Sequence, residues 1–119
     1  MNQSSRYRDA GNGCFRLGDY SRSLEFYNKA LNLNQGDAKL LTNRVVAQVK
    51  LSKQKAQSQP LKEQQNILQR ALQDSISAIS ADPSWVKGYY WKAVCLAELG
   101  QRGASLAAAA VAEGLFSSS

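Results

Sequence analysis

One helical pattern recurs three times along this chain, and that recurrence restricts the fold more than any single residue does. Apolar residues return at spacings of three and four over nearly the whole length, with almost no strand-like alternation, so the chain reads as all-α. The spacing predicts helices near Ser5–Leu17, Tyr20–Asn32, Ala38–Ser52 or beyond, Pro60–Ala81, Ser84–Leu99 and Arg102–Leu115. Gly18-Asp19 parts the first two, and Gln35-Gly36-Asp37 ends the second. At Asp82-Pro83-Ser84 the proline stops one helix and Ser84 is placed to cap the next. Gly100 closes the fifth. Laid over one another, segments starting near Ser4, Ala38 and Val86 each give a helix, a short break and a second helix. The first takes 34 residues, Ser4 to Asp37. A lone hairpin leaves one apolar face bare, whereas three stacked hairpins bury a continuous core. Small residues at the crossings let the axes approach: Gly11, Ala30, Ala71, Ala78, Ala93 and Ala112. Gly13 is read with Gly11 as packing clearance, since each costs a helix about 1 kcal/mol relative to Ala.

The 119 residues suit one small domain. Fifteen Lys and Arg against nine Asp and Glu leave a net charge of +6, which favours an anionic partner. The basic residues are scattered, with no run of five or six, which argues against a nucleic-acid-binding arm. Histidine is absent, removing the commonest general base and metal ligand, and no CxxC, P-loop or GxSxG pattern occurs. The chain is therefore not expected to be an enzyme, nor to need a cofactor or metal. "MNQSSRYRDA" has no apolar signal core, and no apolar run reaches the ~18 residues of a membrane span. The expectation is an intracellular protein, cytoplasmic or nuclear, with Cys14 and Cys95 as reduced, small core residues.

"AGNGCFRLGDYSRSLEFYNKALNLN" closely resembles the first repeat of a tetratricopeptide domain. Gly11 stands at the family's small packing position, Tyr20, Tyr27 and Ala30 at its aromatic and small positions, and Ser23 where alanine is usual. Ala71, Ala78 and Pro83 keep the family's spacing for a second helix and its end. "GYYWKAVCLAELGQ" matches a first helix through Ala93, Leu96 and Gly100. The resemblance covers nearly the whole chain. It implies three helix-turn-helix repeats, about 4–37, 38–85 and 86–116, in a right-handed superhelical array within a longer protein. Two departures stand out. The second repeat is roughly fourteen residues longer than the family period, through the Lys- and Gln-rich "KQKAQSQPLKEQQNI". Divided between two helices, it predicts a hairpin projecting beyond the stack, with Pro60 in a first helical turn. The end, "AAAAVAEGLF", lacks the polar capping helix such arrays normally carry, which leaves Leu115 and Phe116 to be covered.

The first helices of such repeats line the concave face, and residues four apart share a helix face. Arg8 and Asn12, Lys39 and Asn43, and Lys87 and Trp91 are spaced in this way. The pattern resembles the two-carboxylate clamp of co-chaperone tetratricopeptide domains, which holds the Glu-Glu-Val-Asp tail of heat-shock chaperones. "RDAGN" stands where that family has Lys-x-x-x-Asn, "LLTNR" matches its second-repeat Asn, and "WVKGYYWKA" its third-repeat motif with Lys87 in the Lys place. The resemblance implies a peptide site of Arg8, Asn12, Asn43, Lys87 and Trp91, with Arg16, Lys39, Lys50, Tyr90 and Lys92 at its periphery. Amides and cations suit it, because a carboxylate accepts several hydrogen bonds and binds charged donors most strongly. Trp91 takes the place of the clamp's arginine, and Lys92 lies about 100° further round the helix. Tyr89, rather than Trp91, is read as the inward residue of that helix. Trp85 is expected to staple the turn after Pro83, and Arg16 and Arg44 to be surface charges. The leading reading is thus a non-catalytic module that binds an extended, acidic-ended peptide. A scaffold domain that holds another partner through the groove or the long second hairpin is the alternative. Neither reading fixes the oligomeric state.

Overall fold

The computed structural model describes residues 2–56 and 58–100. They form five helices: α1 (Gln3–Arg16), α2 (Tyr20–Leu33), α3 (Ala38–Gln54), α4 (Leu61–Ala81) and α5 (Val86–Glu98). No strand occurs among the described residues. The helix expected over Arg102–Leu115, with Ala112, Leu115 and Phe116, lies outside them.

Local chemistry sets the helix ends. Asn2 accepts the Ser5 N–H at 2.8 Å, Asp19 the Arg22 N–H at 3.1 Å, and Asp37 the Leu40 N–H at 3.0 Å. Each bond satisfies an amide that a helix start leaves open. α1 and α5 both run out into a left-handed glycine, Gly18 at φ +78° and Gly100 at φ +81°. Ser84 is not the cap it was expected to be. α5 starts two residues later without a side-chain cap, and the Ser84 N–H and hydroxyl both donate to Asp82 at 3.1 and 2.7 Å. The acidic side chain closes the proline turn, and that occupies Ser84. Pro60 likewise sits just before α4 rather than in it, and its carbonyl accepts from the amides of Glu63 and Gln64.

α1–α2 and α3–α4 are helical hairpins, and α5 packs on both α3 and α4. The polar insertion is largely helical: α3 has 17 residues and α4 has 21, against 14 each for α1 and α2. The Gln59 N–H closes the turn on the Lys55 carbonyl at 2.9 Å, and the Gln64 amide reaches the Ala56 carbonyl at 3.2 Å. α4 enters from solvent, with Leu61 exposed, and its first buried residue is Leu68.

The core has two parts. Tyr27, Ala30, Leu31, Ala38, Leu40 and Leu41 centre the first, with Tyr7, Phe15 and Trp85 packed against it. Val45, Val49, Leu68, Ala71 and Cys95 form the second, with Trp91 and Val94 against it. Alanines at the crossings are buried as expected: Ala30, Ala71 and Ala78 expose nothing. The two α1 glycines differ. A Cβ on Gly11 would lie 2.6 Å from the Tyr27 ring, whereas one on Gly13 would meet nothing within 4 Å. Gly13 therefore supplies no packing clearance, contrary to the expectation from sequence.

Arg44 is a further correction. Its guanidinium grips Asp74 of α4 with two 2.8 Å hydrogen bonds and donates to Asn28 of α2 at 3.1 Å. It is an interhelix tie, half-buried beside a buried carboxylate, not a solvated surface charge. Cys14 and Cys95 are both free thiols.

Candidate functional site

α1, α3 and α5 meet along one face, and two hollows lie on it. The smaller, of about 140 Å³, is lined by Asn12, Phe15, Tyr27, Asn43 and Val46. The larger, of about 410 Å³, is lined by Thr42, Asn43, Val46, Val86, Lys87, Tyr90 and Trp91. Asn43 and Val46 wall both, so the hollows adjoin across α3. This is the run of first-helix residues that the four-residue spacing picked out, from Asn12 through Asn43 to Lys87 and Trp91.

Asn12 is held by a partner. The Tyr27 hydroxyl donates to Asn12 Oδ1 at 2.5 Å. That bond takes the amide's acceptor and leaves its two N–H donors for the hollow. Burial holds the Tyr27 phenol above its usual range, countered in part by Ser23 and the Arg16 charge, so it remains a donor at neutral pH. The ring lies against Gly11, whose carbonyl accepts from the buried Ser23 hydroxyl at 2.9 Å. Gly11, Ser23 and Tyr27 thus fix the position of Asn12. The Asn43 side chain makes no hydrogen bond with any other described residue.

The cations are arranged less simply. Arg8, one turn before Asn12, lines neither hollow, and its guanidinium bonds the neighbouring Asp9 at 3.1 Å on the exposed surface. Lys87 lies at the rim of the larger hollow, its ammonium 5.6 Å from the centre of the Trp85 ring, while Lys39 stands 5.3 Å from the same ring. Trp85 is itself anchored, its indole N–H donating to Thr42 at 3.2 Å. It staples the loop after Pro83 onto α3, as expected, and also gives two lysines a cation–π surface. Arg16 and Lys50 are exposed, Lys92 is half-exposed, and none of the three lines either hollow.

Trp91 has two roles. Part of it packs against the second core cluster, and part walls the larger hollow. Tyr90 meets it edge to face, with ring centres 5.2 Å apart and planes at 89°. Among the described residues, Trp91 rather than Tyr89 packs against a core cluster, and both side chains are half-buried.

A third hollow, of about 330 Å³, lies on the opposite side of α3. It is lined by Leu24, Asn28, Arg44, Gln48, Arg70, Gln73 and Asp74. Sequence reasoning did not find it, because it depends on the Arg44–Asp74 tie between residues thirty positions apart. Among the described residues, no cluster of His, Cys, Asp and Glu is placed to hold a metal ion, and no helix is long and apolar enough to cross a membrane.

Comparison with known proteins agrees with this geometry. No family model matches the chain. Mouse serine/threonine-protein phosphatase 5 is 27% identical over 106 residues, 89% of this chain and 18% of the phosphatase. Hsp70-Hsp90 organizing protein 3 of Arabidopsis thaliana is 29% identical over 82 residues, 69% of this chain and 12% of that protein. The chain therefore spans less than a fifth of either relative. Among solved structures, the second tetratricopeptide domain of human RPAP3, determined in complex with the HSP70 peptide SGPTIEEVD, superposes with a TM-score of 0.79 at 25% identity. The match covers 95% of this chain and 82% of that one. The chain has the tetratricopeptide fold, and it is similar over nearly its whole length to a domain of that fold solved with a chaperone peptide.

Proposed function

We propose that this chain is a non-catalytic protein–protein interaction module that holds the C-terminus of an extended peptide along the α1–α3–α5 face, with acidic heat-shock chaperone tails among its ligands. The observation that carries the reading is the alignment of Asn12, Asn43 and Lys87, from three different helices, along two adjoining hollows. Two amides and an ammonium offer a terminal carboxylate its hydrogen bonds and its countercharge. The likeness to a domain solved with an HSP70 peptide supports it. Arg8, Lys39, Arg16, Lys50 and Lys92 act in this reading as a surrounding positive field that steers an acidic partner toward the face. The module works inside the cell as a right-handed array of three repeats, 4–37, 38–85 and 86–116, within a longer protein.

The test is calorimetric titration with acetylated Met-Glu-Glu-Val-Asp and with its C-terminal amide. Binding of the acid and its loss in the amide is the expected result. No heat from the acid at millimolar concentration would sink the reading.

The long second hairpin favours a second, additional contact. Leu61 is 67% exposed at the start of α4, on a segment that stands in solvent. A partner retained by the intact domain but lost when residues 53–62 are trimmed, with peptide binding unchanged, would assign assembly to that hairpin.

A further inference from the structure

We propose that the larger hollow selects a bulky apolar side chain at the last residue of the bound peptide, where an acidic tail would place a second carboxylate. This rests on the peptide-binding reading above and concerns what the groove prefers within it.

The two hollows differ in character. The smaller carries the amides of Asn12 and Asn43. The larger has nearly three times its volume, and Val46, Val86, Tyr90 and Trp91 form most of its wall. A carboxylate seated at Asn12 and Asn43 therefore has an apolar space beside it. The side chain on the same residue as that carboxylate is the group that enters the space.

Among the described residues, Lys87 is the one cation that lines this hollow, and a single ammonium cannot serve both the terminal carboxylate and a second one. The Lys87 ammonium rests over the Trp85 ring, and Lys39 lies over the same ring. Lys92 does not line the hollow, and Arg8 is engaged with Asp9 beyond it. With Lys87 taken by the terminal carboxylate, an Asp side chain moved into this space loses water without a second charged partner, which is unfavourable. An aliphatic or aromatic side chain instead loses contact with water against a rigid surface. Trp91 is braced by the second core cluster below and by Tyr90 edge-on, so the aromatic corner needs no rearrangement to receive it. Lys87 at the rim remains free to reach the single terminal carboxylate.

The experiment compares peptides that differ only in the last residue. Acetylated Met-Glu-Glu-Val-Leu, Met-Glu-Glu-Val-Phe and Met-Glu-Glu-Val-Asp are titrated into the unaltered chain, each also as its C-terminal amide. The expected result is about tenfold tighter binding of the Leu and Phe peptides than of the Asp peptide, since burying such a side chain is favourable and an unpaired carboxylate is not. Amidation should weaken all three. Equal or tighter binding of the Asp peptide overturns the proposal while leaving the peptide-binding reading intact. Failure of every free acid to bind overturns both. Trp91→Arg should reverse the order in favour of Asp, and Trp91→Phe, which keeps an aromatic wall, should preserve it. An Asp preference in Trp91→Phe equal to that in Trp91→Arg would also overturn the proposal.

Discussion

Asn12 is useful to a ligand because of Tyr27. The phenol occupies the amide oxygen, which turns the nitrogen toward the groove. Tyr27→Phe is therefore expected to weaken peptide binding severalfold and to cost about 1 kcal/mol of stability, the net worth of one hydrogen bond. Titration and urea unfolding measure the two effects separately. Restoring the unmodified affinity by Asn12→Asp would contradict this account, because a carboxylate offers the ligand no donor. The two α1 glycines should respond in opposite ways. Gly13→Ala, in open space, should raise stability by up to about 1 kcal/mol. Gly11→Ala presses its methyl into the buried Tyr27 ring, and should lower stability by about 1–3 kcal/mol. Paired urea melts decide both signs. Cys95 adds a pH dependence. Burial, then the charges of Asp74 and Glu98, push its thiol from the usual 9.0 up to about 12. The unfolded chain thus releases this proton at lower pH than the folded one does. The resulting stabilisation is intact below pH 9 and is lost as pH rises from 9 toward 12. The fall in melting temperature between pH 8 and about pH 10.5 should be smaller in Cys95→Ala than in the parent chain, whatever the offset caused by the lost side-chain volume.

At the scale of elements, α3 is the helix on which the others depend. One side of it carries Asn43 and Val46 to the groove. The opposite side carries Arg44 to Asp74 and Asn28, joining α2, α3 and α4. Asp74→Ala leaves the guanidinium without its bidentate partner, and is expected to cost about 2 kcal/mol by urea unfolding. Arg44→Met should cost at least as much, because it strands the more deeply buried Asp74 carboxylate without its partner. This tie also shows where sequence reading stops. The 3.6-residue period placed α3 and α4 within a few residues of their true ends. It could not register one against the other, since the inserted residues between them have no fixed pairing. With that register unknown, Asp74 could not be assigned to Arg44, which then looks like any exposed arginine. The capping of α5 failed for a similar local reason: the Asp82 side chain competes for Ser84 and wins.

Across the whole molecule, the order of the five described helices and the small residues Gly11, Ala30, Ala71, Ala78 and Ala93 at their crossings were legible, because each follows from the spacing of side chains along a single helix. The positions of Asn12, Asn43, Lys87 and Trp91 on one face were legible for the same reason. The direction of each charge was not. Arg8 turns to Asp9 and two lysines settle over Trp85, choices between neighbours that periodicity does not rank. The extra turn of α3 has an effect at this scale. Arrays of this kind couple each unit only to its neighbours, so they tend to fray from their ends. Here Gln54 reaches the Gly18 carbonyl at the tip of the first hairpin, at 3.3 Å, while Lys53 beside it pairs with Glu98 at the end of α5, at 3.4 Å. One helix terminus thus links the first hairpin and α5 through exposed contacts that add to their packing on α3. The loss of either end is then opposed by the other, and the array should melt more nearly all at once than a regular three-unit stack of the same length. Replacing both Lys53 and Gln54 with alanine should broaden the calorimetric transition more than it lowers its midpoint.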